Sequence, residues 1–212
     1  MFLEKMLYYD ITFIIFIDGK IMKLQQGDDV SNISQETSDI EILTPNNEKV
    51  RLGDLWSNSP VLIVLVRHFG CQFCREQLHE LRNVWKKILS LGITPIVIGN
   101  GTALMAQDFV EETGLTVPLY TNPERNVYDA LGAKRPPLAA LLSPRLWWAG
   151  FRTLLKGFFP KQVKGDAAQL GGVFLIDTFS EVHFEYLSAY AGDNPSAKML
   201  LSAVDVYYKK FN

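Results

Sequence analysis

The chain has 212 residues, enough for one domain with additions rather than two of equal size. Hydrophobic residues make up 48% and charged residues 21%, which excludes a mainly disordered, collagenous or coiled-coil chain. With 21 basic and 23 acidic side chains the net charge is -2, so the composition gives no reason to expect a nucleic-acid partner.

Residues 1–24 contain an apolar patch, Ile11 to Ile17, flanked by Asp10 and Asp18. It is far short of the roughly 20 residues a membrane span needs. Glu4 offsets Lys5 and no small-residue cleavage site follows, so the segment is a poor secretory signal and the chain reads as cytoplasmic. Two readings remain: a short added strand, or a stretch upstream of a start at Met22. Residues 25–38 are polar and read as a flexible linker. The expected organisation is therefore an extension and linker over 1–38 and one domain over 39–212.

From residue 39 the pattern turns globular. Ile40 to Leu43 and Lys49 to Leu52 flank the Asn46-Asn47 turn and read as a hairpin. Val61 to Val66 is a run of six apolar residues, the mark of a strand covered on both faces. Leu78, Leu81, Trp85, Ile88 and Leu89 then recur at helical spacing, with Arg82, Lys86 and Lys87 between them. A strand over 94–98, a helix over 103–113 and a strand over 117–120 follow. Asn122 and Pro123 read as the cap and first turn of a helix over 124–131. Strands over 172–177 and 181–187 and a helix over 196–209 close the chain. This order implies an α/β fold with a mixed sheet between helical layers.

A basic, aromatic insert over about 143–164 interrupts that order. Trp147, Trp148, Phe151, Phe158 and Phe159 alternate there with Arg145, Arg152, Lys156 and Lys161, and no acid lies between Leu138 and Asp166. The favoured expectation is a helix covering the sheet and the mouth of the site, or a homodimer contact; contact with an anionic membrane surface is the alternative. Gly99-Asn100-Gly101 reads as a turn, since Leu104 stands where a dinucleotide loop needs its third glycine.

The two cysteines form the motif Cys71-Gln72-Phe73-Cys74, a spacing that random placement would produce only about 1% of the time. It lies between the buried strand and the amphipathic helix. Amide groups and the dipole of a helix N-terminus stabilise a thiolate, and Arg67 and Arg75 are candidate sources of further positive charge. A first-turn dithiol can form a reversible disulfide. On spacing alone, three other readings stay open: inert buried cysteines, a metal site with His68 and His79, and a cysteine hydrolase using one of His68, His79 and His183.

A strand followed by R-H-F-G-C-Q-F-C-R-E, together with K-V-R-L-G-D-L-W (Lys49 to Trp56) and P-L-Y-T-N-P-E-R-N-V-Y-D-A-L-G (Pro118 to Gly132), resembles the thioredoxin-like superfamily. Within it the chain is similar to the peroxiredoxin-like, AhpC/TSA-type branch. Gly165 to Asp177 resembles the peroxiredoxin-like 2 group. The resemblance implies a thioredoxin-like fold and a thiol-disulfide or peroxide oxidoreductase with catalytic Cys71 and Cys74. It implies no bound cofactor, and an external dithiol donor such as a thioredoxin or glutathione system. Peroxide or disulfide substrates and a thiol reductant protein are the implied partners. Gly171 and Gly172 stand where thioredoxins place a cis-proline, and are the expected substrate-docking loop, with a tight strand entry as the equal alternative.

The chain departs from the main peroxiredoxin pattern, which has Thr three residues before the peroxide-reacting cysteine and Pro four residues before that Thr. Relative to Cys74 these positions hold Cys71 and Arg67. Cys71 is therefore favoured as the attacking thiol and Cys74 as the resolving one. Two further functional readings accompany this one: reduction of a specific organic endoperoxide, and a non-catalytic interaction or membrane-surface module.

Overall fold

The computed structural model describes residues 12–17, 20–25, 31–136 and 144–211; expectations that fall on 1–11, 26–30 and 137–143 lie outside the described residues. In chain order the described elements are β1 (Thr12–Ile17), β2 (Lys20–Gln25), α1 (Gln35–Ser38), β3 (Glu41–Leu43), β4 (Lys49–Arg51), a 3-10 turn over Leu52–Trp56, β5 (Val61–Leu65) and α2 (Gln72–Ser90). There follow β6 (Thr94–Gly99), α3 (Ala103–Thr113), β7 (Leu119–Thr121), α4 (Asn126–Ala130), α5 (Pro144–Leu155), β8 (Gly172–Ile176), β9 (Val182–Leu187) and α6 (Ala197–Phe211).

The strands form one mixed sheet in the order β1-β2-β9-β8-β5-β6-β7-β3-β4. β5 pairs in parallel with β6 and antiparallel with β8. Its five side chains are all buried because both faces are covered. Leu62 and Val64 join a core with Leu78, Leu81, Trp85 and Ile88 of α2 and with Met199, Leu200 and Val204 of α6. Val61, Ile63 and Leu65 face the other layer, with Ile42, Trp56, Val127 and Tyr128. Each such side chain contributes about 1.5–3 kcal/mol on burial, so the strand before the cysteine motif is among the most firmly held parts of the molecule.

Three expectations are corrected. The linker expected over 25–38 is structured where it is described: Asn32 bridges to Glu181, and Ser34 caps α1 by accepting the Thr37 amide. The helix expected over 124–131 starts two residues late. Arg125 has a left-handed φ of 64°, which breaks the helix before Asn126, while the Asn122 side chain accepts the Val127 amide. The insert does form a helix, yet Trp147, Trp148 and Phe151 are exposed, so they do not cover the sheet. α5 docks on α2 by its polar face instead, through Thr153 and Lys156 to Glu76.

The glycine pair forms the tight strand entry, the alternative to a docking loop. Gly171 and Gly172 are buried at the start of β8, where Gly172 pairs with Leu65 on one side and Leu187 on the other. A Cβ at position 171 would stand 2.1 Å from the Leu65 carbonyl oxygen, so this is a backbone-on-backbone contact. Glycine is used here for close approach. Gly171→Ala is expected to lower stability by roughly 1–3 kcal/mol or more, because the Leu65 backbone has to shift; a urea midpoint equal to wild type would show that the strand gives way freely.

Candidate functional site

β5 ends at Leu65, and the chain crosses to α2 through Val66 to Gly70. Cys71 is the N-cap of α2, with extended backbone (φ -71°, ψ 119°) and no side-chain cap bond, so its sulfur is left for other partners. Its amide donates to the His68 carbonyl at 3.0 Å and its carbonyl accepts the Arg75 amide at 3.2 Å. Cys74 sits in the first turn. Both cysteines are free and almost wholly buried.

Arg67 touches both sulfurs. Its backbone N–H donates to Cys74 Sγ at 3.3 Å, and its Nη1 donates to Cys71 Sγ at 3.5 Å. The rest of the guanidinium is fixed by backbone carbonyls: Nε donates to Gln169 at 3.2 Å and Nη2 to Ala167 at 2.5 Å. The Arg67 carbonyl accepts Asn100 Nδ2 at 2.5 Å. Arg67 is itself buried, and among the described residues no carboxylate pairs with it. A buried cation needs a counter-charge, and the thiolate of Cys71 is the group placed to supply it.

The two thiols are driven apart in acidity. A hydrogen bond from the Cys74 thiol and the Arg67 charge together outweigh burial, bringing Cys71 down to about 6. Cys74 is pushed well up, first by that same bond to Cys71 and then by burial. These opposite directions make Cys71 the more acidic thiol of the pair and Cys74 the donor that supports its ionised form. His68, adjacent to Arg67, falls to about 4 through burial and the arginine charge, so it is a neutral ring here. Its Nδ1 is buried without a hydrogen-bond partner.

Residues that the sequence reading passed over hold Arg67 in place. Asn100 binds the Arg67 carbonyl and accepts the Asp166 amide at 2.8 Å, tying the β6 end to the segment after α5. Gln169 donates to the carbonyls of Ala133 and Leu170, each at 3.1 Å, which steadies the loop whose carbonyls grip the guanidinium. Tyr128 donates to the carbonyls of Val66 at 2.7 Å and Ile98 at 3.1 Å, pinning the ends of two strands beneath the site. The glycines at 99 and 101 make space for Phe69: a Cβ at either would lie within 2.7 Å of its ring. An asparagine between two glycines after a buried strand was the available signal.

Other expected site residues lie elsewhere. Arg75 donates to Glu112 at 2.5 Å and to the Phe69 carbonyl at 3.4 Å, and its guanidinium covers the Phe109 ring; among the described contacts it makes none to a sulfur. Its charge is answered by Glu112, whose carboxyl is held down to about 2 by Lys161 and Arg75. Arg75 is thus a brace between α2 and α3 and not a thiolate stabiliser. It lines a groove of about 190 Å³ with Leu78, Arg82, Leu115 and Phe158. His79 is exposed on α2, against the Phe158 ring. His183 bonds Asp177 at 2.8 Å and packs, tilted and edge-on, against Tyr207 and Phe211. Asp177, Glu181 and His183 lie close enough to share an ion, but Asp177 already caps the β8–β9 turn by accepting the Phe179 and Glu181 amides.

Residues 80–189 match the family model described as AhpC/TSA antioxidant enzyme. The chain belongs to that family. It is 26% identical over 190 residues to peroxiredoxin-like 2C of Homo sapiens, covering 84% of this chain and 83% of that protein. It is also 26% identical over 167 residues to prostamide/prostaglandin F synthase of Salmo salar, covering 76% and 82%. The fold is that of peroxidoxin BcpB from Mycobacterium tuberculosis, with a TM-score of 0.60 at 16% identity over 86% of this chain and 97% of that one. The thioredoxin-like architecture is thus shown, and Arg67, Cys71 and Cys74 all precede the residues matched by the family model.

Two outcomes follow from these geometries. Alkylation of Cys71 by iodoacetamide should reach half its maximal rate near pH 6, and Arg67→Met should move that midpoint upward; a midpoint in the ordinary thiol range for wild type would contradict the assignment. For His68, the unfolded ring takes its proton near pH 6.5 and the folded ring only near 4, so the unfolded state binds more protons between them and stability falls as pH drops through that window. At about 1.4 kcal/mol per unit, acidification from pH 7 to 4.5 should cost wild type roughly 2–3 kcal/mol more than His68→Gln, measured by urea unfolding.

Proposed function

We propose that this protein is a thiol-dependent peroxide or disulfide oxidoreductase in which Cys71 attacks and Cys74 resolves. The observation that carries the reading is the pair of opposite acidities, with a buried arginine donating to both sulfurs. The Cys71 thiolate attacks one oxygen of a hydroperoxide and the O–O bond breaks. The departing alkoxide takes up a proton to leave as an alcohol, and Cys71 becomes a sulfenic acid. The Cys74 thiol then displaces water to form the Cys71–Cys74 disulfide. An external dithiol, of thioredoxin or glutathione type, reduces that disulfide and is itself oxidised. With a disulfide substrate the same thiolate forms a mixed disulfide, which Cys74 resolves. A cytoplasmic setting, where a dithiol supply is maintained, belongs to this reading.

A second reading is reduction of a specific organic endoperoxide, supported by likeness to a protein named prostamide/prostaglandin F synthase. It uses the same thiolate: attack on the ring O–O bond leaves one oxygen bound to Cys71 as a sulfenate ester and the other protonated to a hydroxyl, and Cys74 then displaces the diol to form the disulfide. Turnover of a cyclic endoperoxide far above that of simple hydroperoxides, with the same donor, would favour it. No turnover with any of these substrates would favour a non-catalytic interaction module.

Mass spectrometry after peroxide treatment tests the roles. Cys74→Ser should accumulate a sulfenic acid on Cys71 and fail to turn over with a donor, whereas Cys71→Ser should do neither. A sulfenic acid on Cys74 in Cys71→Ser, with peroxide still consumed, would reverse the order of attack.

A further inference from the structure

We propose that the outward face of α5, with the segment that follows it, is a docking surface for an anionic lipid bilayer, lying in the bilayer interface and not crossing it. The helix is mounted with its polar side inward. Thr153 is fully buried and donates to Glu76 Oε2 at 2.6 Å, while Lys156 Nζ reaches Glu76 at 2.5 Å and Glu80 at 3.0 Å. Gly150 lies beside Gln72 and Phe73 at the start of α2. These contacts fix the rotation of the helix and turn its apolar side to solvent. Trp147 is 69% exposed, Trp148 70% and Leu155 74%, and Phe151, with Phe159 and Val163 of the segment that follows, is exposed as well. The Trp148 and Phe151 rings lie 6.1 Å apart, so they share one face.

Charge selects the occupant. Arg145, Arg152, Lys156, Lys161 and Lys164 are the only charged residues between Leu138 and Asp166. Two copies meeting through this face would set like charges together, which opposes a symmetric dimer. Paired tryptophans beside basic residues suit the headgroup level of an anionic leaflet. Lys156, Lys161 and Lys164 are answered by Glu76, Glu80, Glu112 and Asp108, and Arg152 pairs more loosely with Glu76 at 4.0 Å, so insertion of the aromatic rings supplies the main attraction and the basic residues add to it on an anionic leaflet. The inference is independent of the thiol chemistry, because a variant with both cysteines changed to serine should bind equally.

The test is co-sedimentation of the full chain with phosphatidylcholine vesicles with and without phosphatidylserine. Wild type should bind, more tightly with phosphatidylserine, and Trp147→Ser/Trp148→Ser/Phe151→Ser should bind at least about tenfold less. Phe179→Ser, on an exposed aromatic elsewhere, should bind as wild type. If the triple variant misfolds, wild type with acyl-brominated lipid decides: Trp56 and Trp85 are buried, so quenching reports Trp147 and Trp148, and its absence overturns the proposal. Wild type that stays in the supernatant, binding unchanged by the triple variant, or a dimer in sedimentation equilibrium that the triple variant dissolves without any vesicle effect would also overturn it.

Discussion

A guanidinium held in the interior without a carboxylate partner is the constraint around which the rest of the site is arranged. Arg67 spends its side chain on two backbone carbonyls and one sulfur, and its own amide on the other sulfur. A charge so placed is costly unless something nearby becomes negative. Ionising Cys71 meets that need most directly, because the guanidinium itself donates to Cys71 while Cys74 takes only the neutral amide and gives its own proton to Cys71. The helix N-terminus favours the same sulfur. The asymmetry between the two thiols thus rests first on the hydrogen bond that Cys74 gives to Cys71, and the arginine four positions upstream of the first adds to it.

Holding Arg67 requires precision in segments remote in sequence. The carbonyls that grip it belong to 167–169, which is steadied by Gln169 and by Asp166, whose amide bonds Asn100. Phe69 must lie against Gly99 and Gly101, and Gly171 must lie against Leu65, for these segments to converge. The three glycines therefore serve one end of the sheet, where β5, β6 and β8 meet the helix that carries the sulfurs. Tyr128 closes this end from beneath, with its hydroxyl shared between the carbonyls of Val66 and Ile98. Burial of that phenol keeps it protonated and so a donor, since its acidity is pushed far down.

Much of the fold was legible because periodicity reports burial. The run from Val61 to Val66 marked the strand covered on both faces, and the stripe from Leu78 to Ile88 marked α2, each with nearly the right bounds. The site was legible only as far as neighbours in sequence could show it. Cys71, Cys74 and Arg67 sit within eight residues, so their spacing pointed to one cluster. Arg75 has the same local credentials and goes elsewhere, because Glu112, on another helix, captures it. Asn100, Gln169 and Tyr128 act through long-range hydrogen bonds that no local pattern encodes. The insert misled for a related reason: amphipathicity shows that a helix has two faces but not which one turns inward, and here Glu76 and Glu80 of α2 claim the polar one.

The placement of the two sulfurs also bears on how oxidation is accommodated. Cys71 lies at the N-cap and Cys74 in the first turn of the same helix, and both already share Arg67 as a donor. Closing a bond between them calls for local rotation at the start of α2, where the first amides lack intrahelical partners in any case, and leaves the remaining turns of the helix intact. Oxidation would remove the thiolate and leave the guanidinium uncompensated, which raises the energy of the disulfide state relative to the reduced one. In the cycle proposed for Cys71, the arginine that favours its thiolate would thereby also favour return of the pair to the dithiol, as reduction by an external dithiol requires.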